Sequence, residues 1–430
     1  MKFIVKGGKP LFGEITLAGA KNAVSKMMVA SLLTDEPCIF ENVPAIGEVE
    51  IIVELLKNIG SEVESAGATA RVRTPSIKNN RVLELTRRNR IPILALGPLL
   101  ARAGEAEVPV LGGDKLGARP VDIHLEALAK LGAKLQITST SYHAWAPDGL
   151  HGAEIELRFP SVGATENAIL AAVLAEGKTT IKNAALEPEL IDLIKMLQKM
   201  GAIIELCPPR TITIEGVEKL HGVTHRIISD RNEAISFACL AIATNGRILV
   251  KEAVQEHLIT FLNTVRRLGA EYEVTDDGIA FSRPNSLHAL SVTTATHPGF
   301  MTDWQQPLCV LLTQATGESS IHETIYEDRF AYAHDLNEMG AKIKVSTDCP
   351  AGEECRFAGK GYYHYATIEG PTPLTSARLT VRDLRSGMVD VLAALVADGV
   401  SEIDGVDEID RGYERIDERL RDLGADITRA

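Results

Sequence analysis

The sequence predicts an α/β protein of two similar lobes, each made of three copies of one strand-and-helix unit. Three observations carry this. A short phrase recurs six times along the chain. An Ala-rich helix closed by Gly and followed by a strand precedes it in most copies. The chain has 430 residues, room for two to four domains at ~100–200 residues each, so three copies to a core give two lobes of ordinary size. One elongated array of six units is the other reading of the same repeat.

The recurring phrase is Ile59-Gly60-Ser61, Leu131-Gly132-Ala133, Met200-Gly201-Ala202, Leu268-Gly269-Ala270, Met339-Gly340-Ala341 and Leu423-Gly424-Ala425, with glycine spacings of 72, 69, 68, 71 and 84. Each copy closes an amphipathic stretch, as in Val53-Glu54-Leu55-Leu56-Lys57-Asn58-Ile59. Most lead into alternating residues, as in Ala133-Lys134-Leu135-Gln136-Ile137. This pattern predicts a helix ended by a left-handed Gly, then a strand. The upstream block is clearest in Leu170-Ala171-Ala172-Val173-Leu174-Ala175-Glu176-Gly177 and Val391-Leu392-Ala393-Ala394-Leu395-Val396-Ala397-Asp398-Gly399. Ala-rich helices are narrow and can be buried on all sides. Each unit therefore reads strand, buried helix, strand, exposed helix, strand. The junction between lobes is expected between the third and fourth units, near Ile227-Ile228-Ser229-Asp230. Two lobes offer a cleft, where ligands usually bind.

Hydrophobic residues make up 45% and charged residues 24%, which excludes disordered, collagen-like and disulfide-scaffold chains. The net charge of −13 and pI near 5.4 argue against nucleic-acid or membrane-surface partners. Any anion site must then be a local gathering of cations. The longest apolar run, near Ile91–Ala101, falls far short of the ~20 residues of a spanning helix. The start, Met1-Lys2-Phe3-Ile4-Val5-Lys6, is charged too early for a signal core. Six cysteines form no Cys-x-x-Cys pair and have no His at metal spacing, so they read as reduced thiols of a cytoplasmic protein, mostly core filler, with no metal.

Two segments carry chemistry. Gly19-Ala20-Lys21-Asn22-Ala23 places a Lys at a helix start, where backbone N–H groups and an ammonium converge on an anion. Leu111-Gly112-Gly113-Asp114-Lys115-Leu116-Gly117-Ala118-Arg119-Pro120-Val121-Asp122 reads as a lid loop over about 110–121 with a carboxylate and a guanidinium. A surface hairpin is the plainer alternative.

These two segments, with Phe159-Pro160-Ser161-Val162-Gly163-Ala164-Thr165-Glu166-Asn167 and Ile409-Asp410-Arg411-Gly412-Tyr413-Glu414, resemble one family over essentially the whole chain. It is the enolpyruvyl transferases of peptidoglycan synthesis, the UDP-N-acetylglucosamine 1-carboxyvinyltransferases. The resemblance implies an inside-out α/β barrel in two lobes, six βαβαββ-type units, three per lobe. It implies one lobe at 21–229 and the other at 1–20 plus 230–430. It also implies transfer of enolpyruvyl from phosphoenolpyruvate to the 3-hydroxyl of UDP-N-acetylglucosamine with release of phosphate, in the bacterial cytoplasm, and no cofactor or metal. Such a step commits material to the cell wall, and so bears on cell shape and division.

By the same resemblance, Lys21, Arg119 and Arg385 bind the phosphate, Arg329 and Arg385 lie near phosphate and carboxylate, and Asn22 joins them. Arg90, Arg119, Pro120, Val121, Asp122, Ile123, Ser161, Val162, Gly163 and Ile325 line the nucleotide-sugar side. Arg suits such roles because its planar fork meets oxyanions in paired hydrogen bonds. Asp303 stands at the position of the base that takes the sugar hydroxyl proton and contacts the sugar; capping the helix at Trp304, by Asp303 or Thr302, is the structural alternative. Asp114 stands where most of the family has Cys, in a general-acid role. A carboxylate attacks an epoxide less readily than a thiolate, so resistance to fosfomycin is expected.

His124 either adds a ring contact or simply starts a helix at His124–Leu131. Glu187 and Glu233 match charged family positions, as lobe-bridging ion pairs or as catalytic groups. Leu186 and Glu48-Val49-Glu50 depart from the family pattern. An insertion near 348–363, with Cys349 and Cys355, accounts for part of the long last spacing. Two other functions stay in play: a shikimate 3-phosphate enolpyruvyl transferase, and an inactive nucleotide-sugar-binding paralogue. Nothing in the sequence sets the oligomeric state.

Overall fold

A computed structural model describes the chain apart from residues 88, 111, 113–120, 285, 349–351 and 353–354. Twelve helices alternate in character along these described residues: α1 (Lys21–Ala30), α2 (Gly47–Ile59), α3 (Leu96–Ala103), α4 (Asp122–Lys130), α5 (Val162–Ala172), α6 (Pro188–Lys199), α7 (Arg231–Ala243), α8 (Gln255–Leu268), α9 (Gln305–Thr313), α10 (Tyr332–Glu338), α11 (Leu384–Val396) and α12 (Ile416–Asp422). The odd-numbered ones are rich in Ala, Leu, Val and Met and are largely buried; every residue of α7 and α9 is buried. The even-numbered ones bury one face only, as α8 does with Leu258, Phe261, Leu262, Val265 and Leu268.

All six repeat glycines adopt positive φ, from 90° at Gly269 to 118° at Gly60. Each is followed by a strand: Glu62–Ala66, Lys134–Ile137, Ile203–Cys207, Glu271–Thr275, Lys342–Ser346 and Asp426–Arg429. The left-handed Gly releases the chain from the helix, and alternating residues then pair in the sheet.

The chain folds into two compact units. One holds the described residues of Gly19–Ile228, with a core drawn from Ala20 through Ile227. Its complete units show one sheet pattern. Ile203–Cys207, Thr211–Glu215, Lys178–Lys182 and Glu154–Glu156 lie side by side in that order, the last pair parallel and the others antiparallel. The same order recurs in Glu62–Ala66, Thr69–Arg73, Cys38–Glu41 and Val223–Arg226. Val223–Arg226, from the end of the third repeat, is thus the outer strand of the first repeat's sheet. A third sheet pairs Lys134–Ile137, Ser141–Trp145 and Glu105–Pro109.

The other unit holds Met1–Ala18 and Ser229–Ala430. Two N-terminal strands complete its sheets. Phe12–Thr16 runs parallel to Arg247–Lys251, and Lys2–Lys6 lies antiparallel between Val400–Asp404 and Asp426–Arg429. Phe3, Val5, Leu11 and Leu17 bury with residues 234–427 in a single core. Here α7, α9 and α11 pack on one another inside, with sheets around them. This is the inside-out α/β arrangement in βαβαββ units. Helix α4 begins at Asp122, two residues before the start that His124 suggested.

Candidate active site

In the unit containing the C-terminal half, the site grows from one short turn. Thr302–Trp304 forms a single 3₁₀ turn ahead of α9. Trp304 is buried, meets Phe261 and Phe300 edge-on, and donates from Nε1 to Asn232 Oδ1 at 3.0 Å. That anchor leaves the adjacent Asp303 side chain 22% exposed. The helix-capping alternative for Asp303 or Thr302 does not hold, because the residue at the cap of α9 is Trp304. Instead Asp303 Oδ1 accepts from Arg329 Nη2 at 2.5 Å, and Oδ2 lies 3.4 Å from Arg385 Nε.

Both guanidiniums are buried, their side chains 2% and 9% exposed. Arg385 is second in α11, whose start is fixed by Asp383. The Asp383 carboxylate accepts from Arg385 N and Ser386 N, while Ser386 Oγ accepts from Asp383 N. Arg385 Nη1 donates to Tyr413 Oη at 3.2 Å, and that hydroxyl is 2.8 Å from Ser236 Oγ. Arg329 lies over the Tyr326 ring at 4.8 Å. Burial alone would make each arginine less basic. For Arg385 this is outweighed by Tyr413, Asp303 and Asp230; for Arg329, by Asp303, Tyr326, Glu323 and Asp383. Both therefore stay cations at any working pH. Asp303 contacts both guanidiniums, Glu323, Asp383 and Asp230 act on them through space, and among the described residues Arg329 Nε has no hydrogen-bond partner. An unpartnered guanidinium N–H in a buried site suits an oxyanion acceptor.

Sequence reasoning missed the group that orders this region. Glu323 is fully buried. Its Oε2 accepts from Thr302 Oγ1 (2.8 Å) and Gln305 Nε2 (3.0 Å), and its Oε1 from Ile325 N (2.7 Å) and Tyr326 N (3.1 Å). One carboxylate thus ties the Asp303 turn to the Ile325 loop. Four donors satisfy it, which is what a buried charge requires. The Ile325 backbone N–H is spent on Glu323. Glu233 is held within the same unit by Arg419 and by Ala18 N.

In the Gly19–Ile228 unit, Lys21 opens α1 with its Nζ 3.5 Å from Glu48 Oε1, and Asn22 follows. The described residues expected on the nucleotide-sugar side gather mostly around the starts of α4 and α5. Val121 precedes α4, Asp122 Oδ1 accepts from Ile123 N at 2.9 Å, and Asp122 pairs with Arg158. Ser161 caps α5 by accepting from Ala164 N, followed by Val162 and Gly163. A Cβ on Gly163 would stand 2.9 Å from His124 Cε1, so only glycine lets this turn approach the ring. His124 is buried, and its pKa is pushed down to about 3 by burial and by the Arg90 cation, against a small opposing pull from Asp122. It is a neutral ring packed between α4 and the 161–163 turn. Glu187 adds to the negative surroundings of the buried Glu166. Asp114, Arg119 and Pro120 lie outside the described residues.

The family model for EPSP synthase (3-phosphoshikimate 1-carboxyvinyltransferase) matches residues 5–420. The chain belongs to this family. Within the family, the chain is 46% identical over 433 residues to UDP-N-acetylglucosamine 1-carboxyvinyltransferase of Protochlamydia amoebophila, covering 99% of this chain and 93% of that one. It is 46% identical to the protein of that name from Chlamydia abortus, covering 98% and 97%. The resemblance read from the motifs is thereby borne out. Among solved structures, the enolpyruvyl transferase NikO from Streptomyces tendae superposes with a TM-score of 0.86 at 24% identity, covering 99% and 98%. EPSP synthase from Acinetobacter baumannii gives 0.72 at 16%, covering 100% of both chains. At these identities the structural likeness speaks for the EPSP synthase fold. Among the described residues no helix is long and apolar enough to cross a membrane.

Proposed function

We infer that this enzyme transfers the enolpyruvyl group of phosphoenolpyruvate to the 3-hydroxyl of UDP-N-acetylglucosamine and releases phosphate. The observation that carries this is the 46% identity over nearly the full length of both chains to enzymes of that name. The likeness to shikimate-pathway structures is far lower in identity, and the Gly-Gly-x-x-x-Gly-Ala-Arg-Pro-Val-Asp loop argues against that substrate.

In this reading Lys21, Arg119 and Arg385, with Asn22, hold the phosphate, and Arg329 with Arg385 hold the carboxylate. Arg90, Arg119 to Ile123, Ser161 to Gly163 and Ile325 seat the nucleotide sugar. When phosphoenolpyruvate claims the two buried guanidiniums, Asp303 turns to the sugar hydroxyl. It takes the proton as the sugar oxygen bonds to C2, and Asp114 gives a proton to the methylene carbon. The product of addition is a tetrahedral phospho-ketal. Elimination breaks the bond from C2 to the phosphate oxygen and restores the double bond: the ionised Asp114 takes back a methyl proton, and the leaving phosphate carries off the proton that Asp303 took. Desolvation by the lid loop, together with the substrate's charge, would raise the Asp114 carboxyl enough to donate. We place this step in the bacterial cytoplasm, ahead of wall assembly. With Asp114 in place of a thiol, the enzyme lacks the nucleophile that fosfomycin alkylates.

The test is phosphate release. Purified protein with phosphoenolpyruvate should release phosphate when UDP-N-acetylglucosamine is added and stay silent with shikimate 3-phosphate. Release only with shikimate 3-phosphate moves the enzyme to the sister activity, and binding of nucleotide sugar without release marks an inactive paralogue.

A further inference from the structure

We propose that His322, Cys355 and His364 form a divalent-cation site suited to Zn²⁺, which fastens the insertion after Ser346 to its sheet. One ligand atom from each of the three lies within 4.8 Å of the others, and all three residues are buried. Cys355 Sγ is 3.4 Å from His322 Nε2. A tetrahedral zinc, with bonds of ~2.3 Å to sulfur and ~2.0–2.1 Å to nitrogen, sets such atoms about 3.5 Å apart. Imidazole nitrogen and thiolate are the donors this borderline-soft ion takes.

The deciding observation is the state of His364. Its Nδ1 is 2.7 Å from the Tyr362 carbonyl oxygen, which can only accept, so Nδ1 carries the proton. Nε2 is then a bare lone pair. It is fully buried, and among the described residues it has no hydrogen-bond partner. A carbonyl fixing one ring nitrogen so that the other faces a metal is the usual support of a histidine ligand. A simple thiol–imidazole hydrogen bond would explain Cys355 and His322 but would leave the His364 lone pair unmet. A cation answers both.

The topology brings the ligands together from distant sequence. His322 ends the strand Ala315–His322 and pairs in register with Tyr365, the first residue of Tyr365–Gly370. His364 immediately precedes that strand, and Cys355 returns from the insertion. The imidazole rings are 5.6 Å apart, with Phe357 edge-on to His364 and Tyr365 edge-on to His322. The His364 carbonyl accepts from Glu323 N at 2.8 Å. The ion would therefore brace the backbone that carries the buried Glu323, with no part in the bond-making steps.

The full-length protein, expressed with added zinc and dialysed without chelator, should carry about one zinc per chain by plasma mass spectrometry. Cys355→Ser and His364→Ala should each lower that content at least about tenfold. Co²⁺ added to metal-stripped wild type should give a thiolate-to-cobalt charge-transfer band, which needs no variant to fold. Wild-type protein with neither zinc nor that band overturns the proposal. So does zinc retained in a Cys355→Ser or His364→Ala protein whose circular dichroism is unchanged.

Discussion

Asp303 sits between two buried arginines, and that placement defines its work. Its Oδ1 meets Arg329 and its Oδ2 meets Arg385. Replacing it by Asn keeps the shape and removes the proposed proton acceptor. Asp303→Asn should lower kcat by about 10²–10⁴-fold, the usual worth of a positioned base, while nucleotide-sugar binding survives. Steady-state phosphate release near the wild-type rate would remove Asp303 from this role. Asp114 sets a second residue-scale expectation. Asp114→Cys should make the enzyme sensitive to time-dependent inactivation by fosfomycin, with the wild type resistant. Rapid covalent labelling of the wild type would contradict this.

Glu166 gives a third. Burial pushes its carboxyl up to about 8; Lys26 pulls it down, while Glu187 and Glu189 push it further up. The native state therefore keeps a proton that the unfolded chain, with a value near 4.5, has lost. Where the native state binds more protons, stability falls as pH rises. The unfolding midpoint should decline between about pH 4.5 and 8 and then level off. Glu166→Gln should flatten that slope, as urea melts across the range would show. An unchanged slope in Glu166→Gln assigns the effect to other groups.

At the scale of the element, the repeat glycines carry the fold. Gly269 has φ +90°, and a Cβ there would stand 2.9 Å from His288 Cδ2 and 3.2 Å from Ser286 O. Gly67 is also left-handed, at φ +57°, but a Cβ there meets nothing within 4 Å. Gly67→Ala should cost about 1–2 kcal/mol from backbone conformation alone. Gly269→Ala should cost more, because the contact adds to the same strain. Equal losses in urea unfolding would show that the neighbours of Gly269 give way freely.

These elements were the legible part of the sequence. A Gly after an amphipathic helix and before alternating residues is a local signal, and all six copies behaved as that signal demands. So did the Ala-rich helices, because small apolar residues on every face leave no exposed side. Pairing across long separations was not legible. Nothing local in Val223–Arg226 says that it lies beside Cys38–Glu41, or in Lys2–Lys6 that it completes the last sheet. Strand partners are chosen by the assembled core. The candidate site divides the same way. Its cations were legible through the family resemblance, but Glu323 carries no such signal; it is known only by the four donors that surround it. His322 and His364 show no metal spacing in the sequence, since the register of two strands creates their proximity.

For the whole molecule, the account rests on charge held against the average. A chain of net charge −13 keeps Arg329 and Arg385 buried beside Asp303, where attraction to an anion is stronger than in bulk water. Each compact unit has its own core. The most direct test is to identify the product. Mass spectrometry of the reaction with phosphoenolpyruvate and UDP-N-acetylglucosamine should show the nucleotide sugar heavier by one enolpyruvyl group, in step with phosphate released. Phosphate appearing while the nucleotide sugar keeps its original mass would contradict the account.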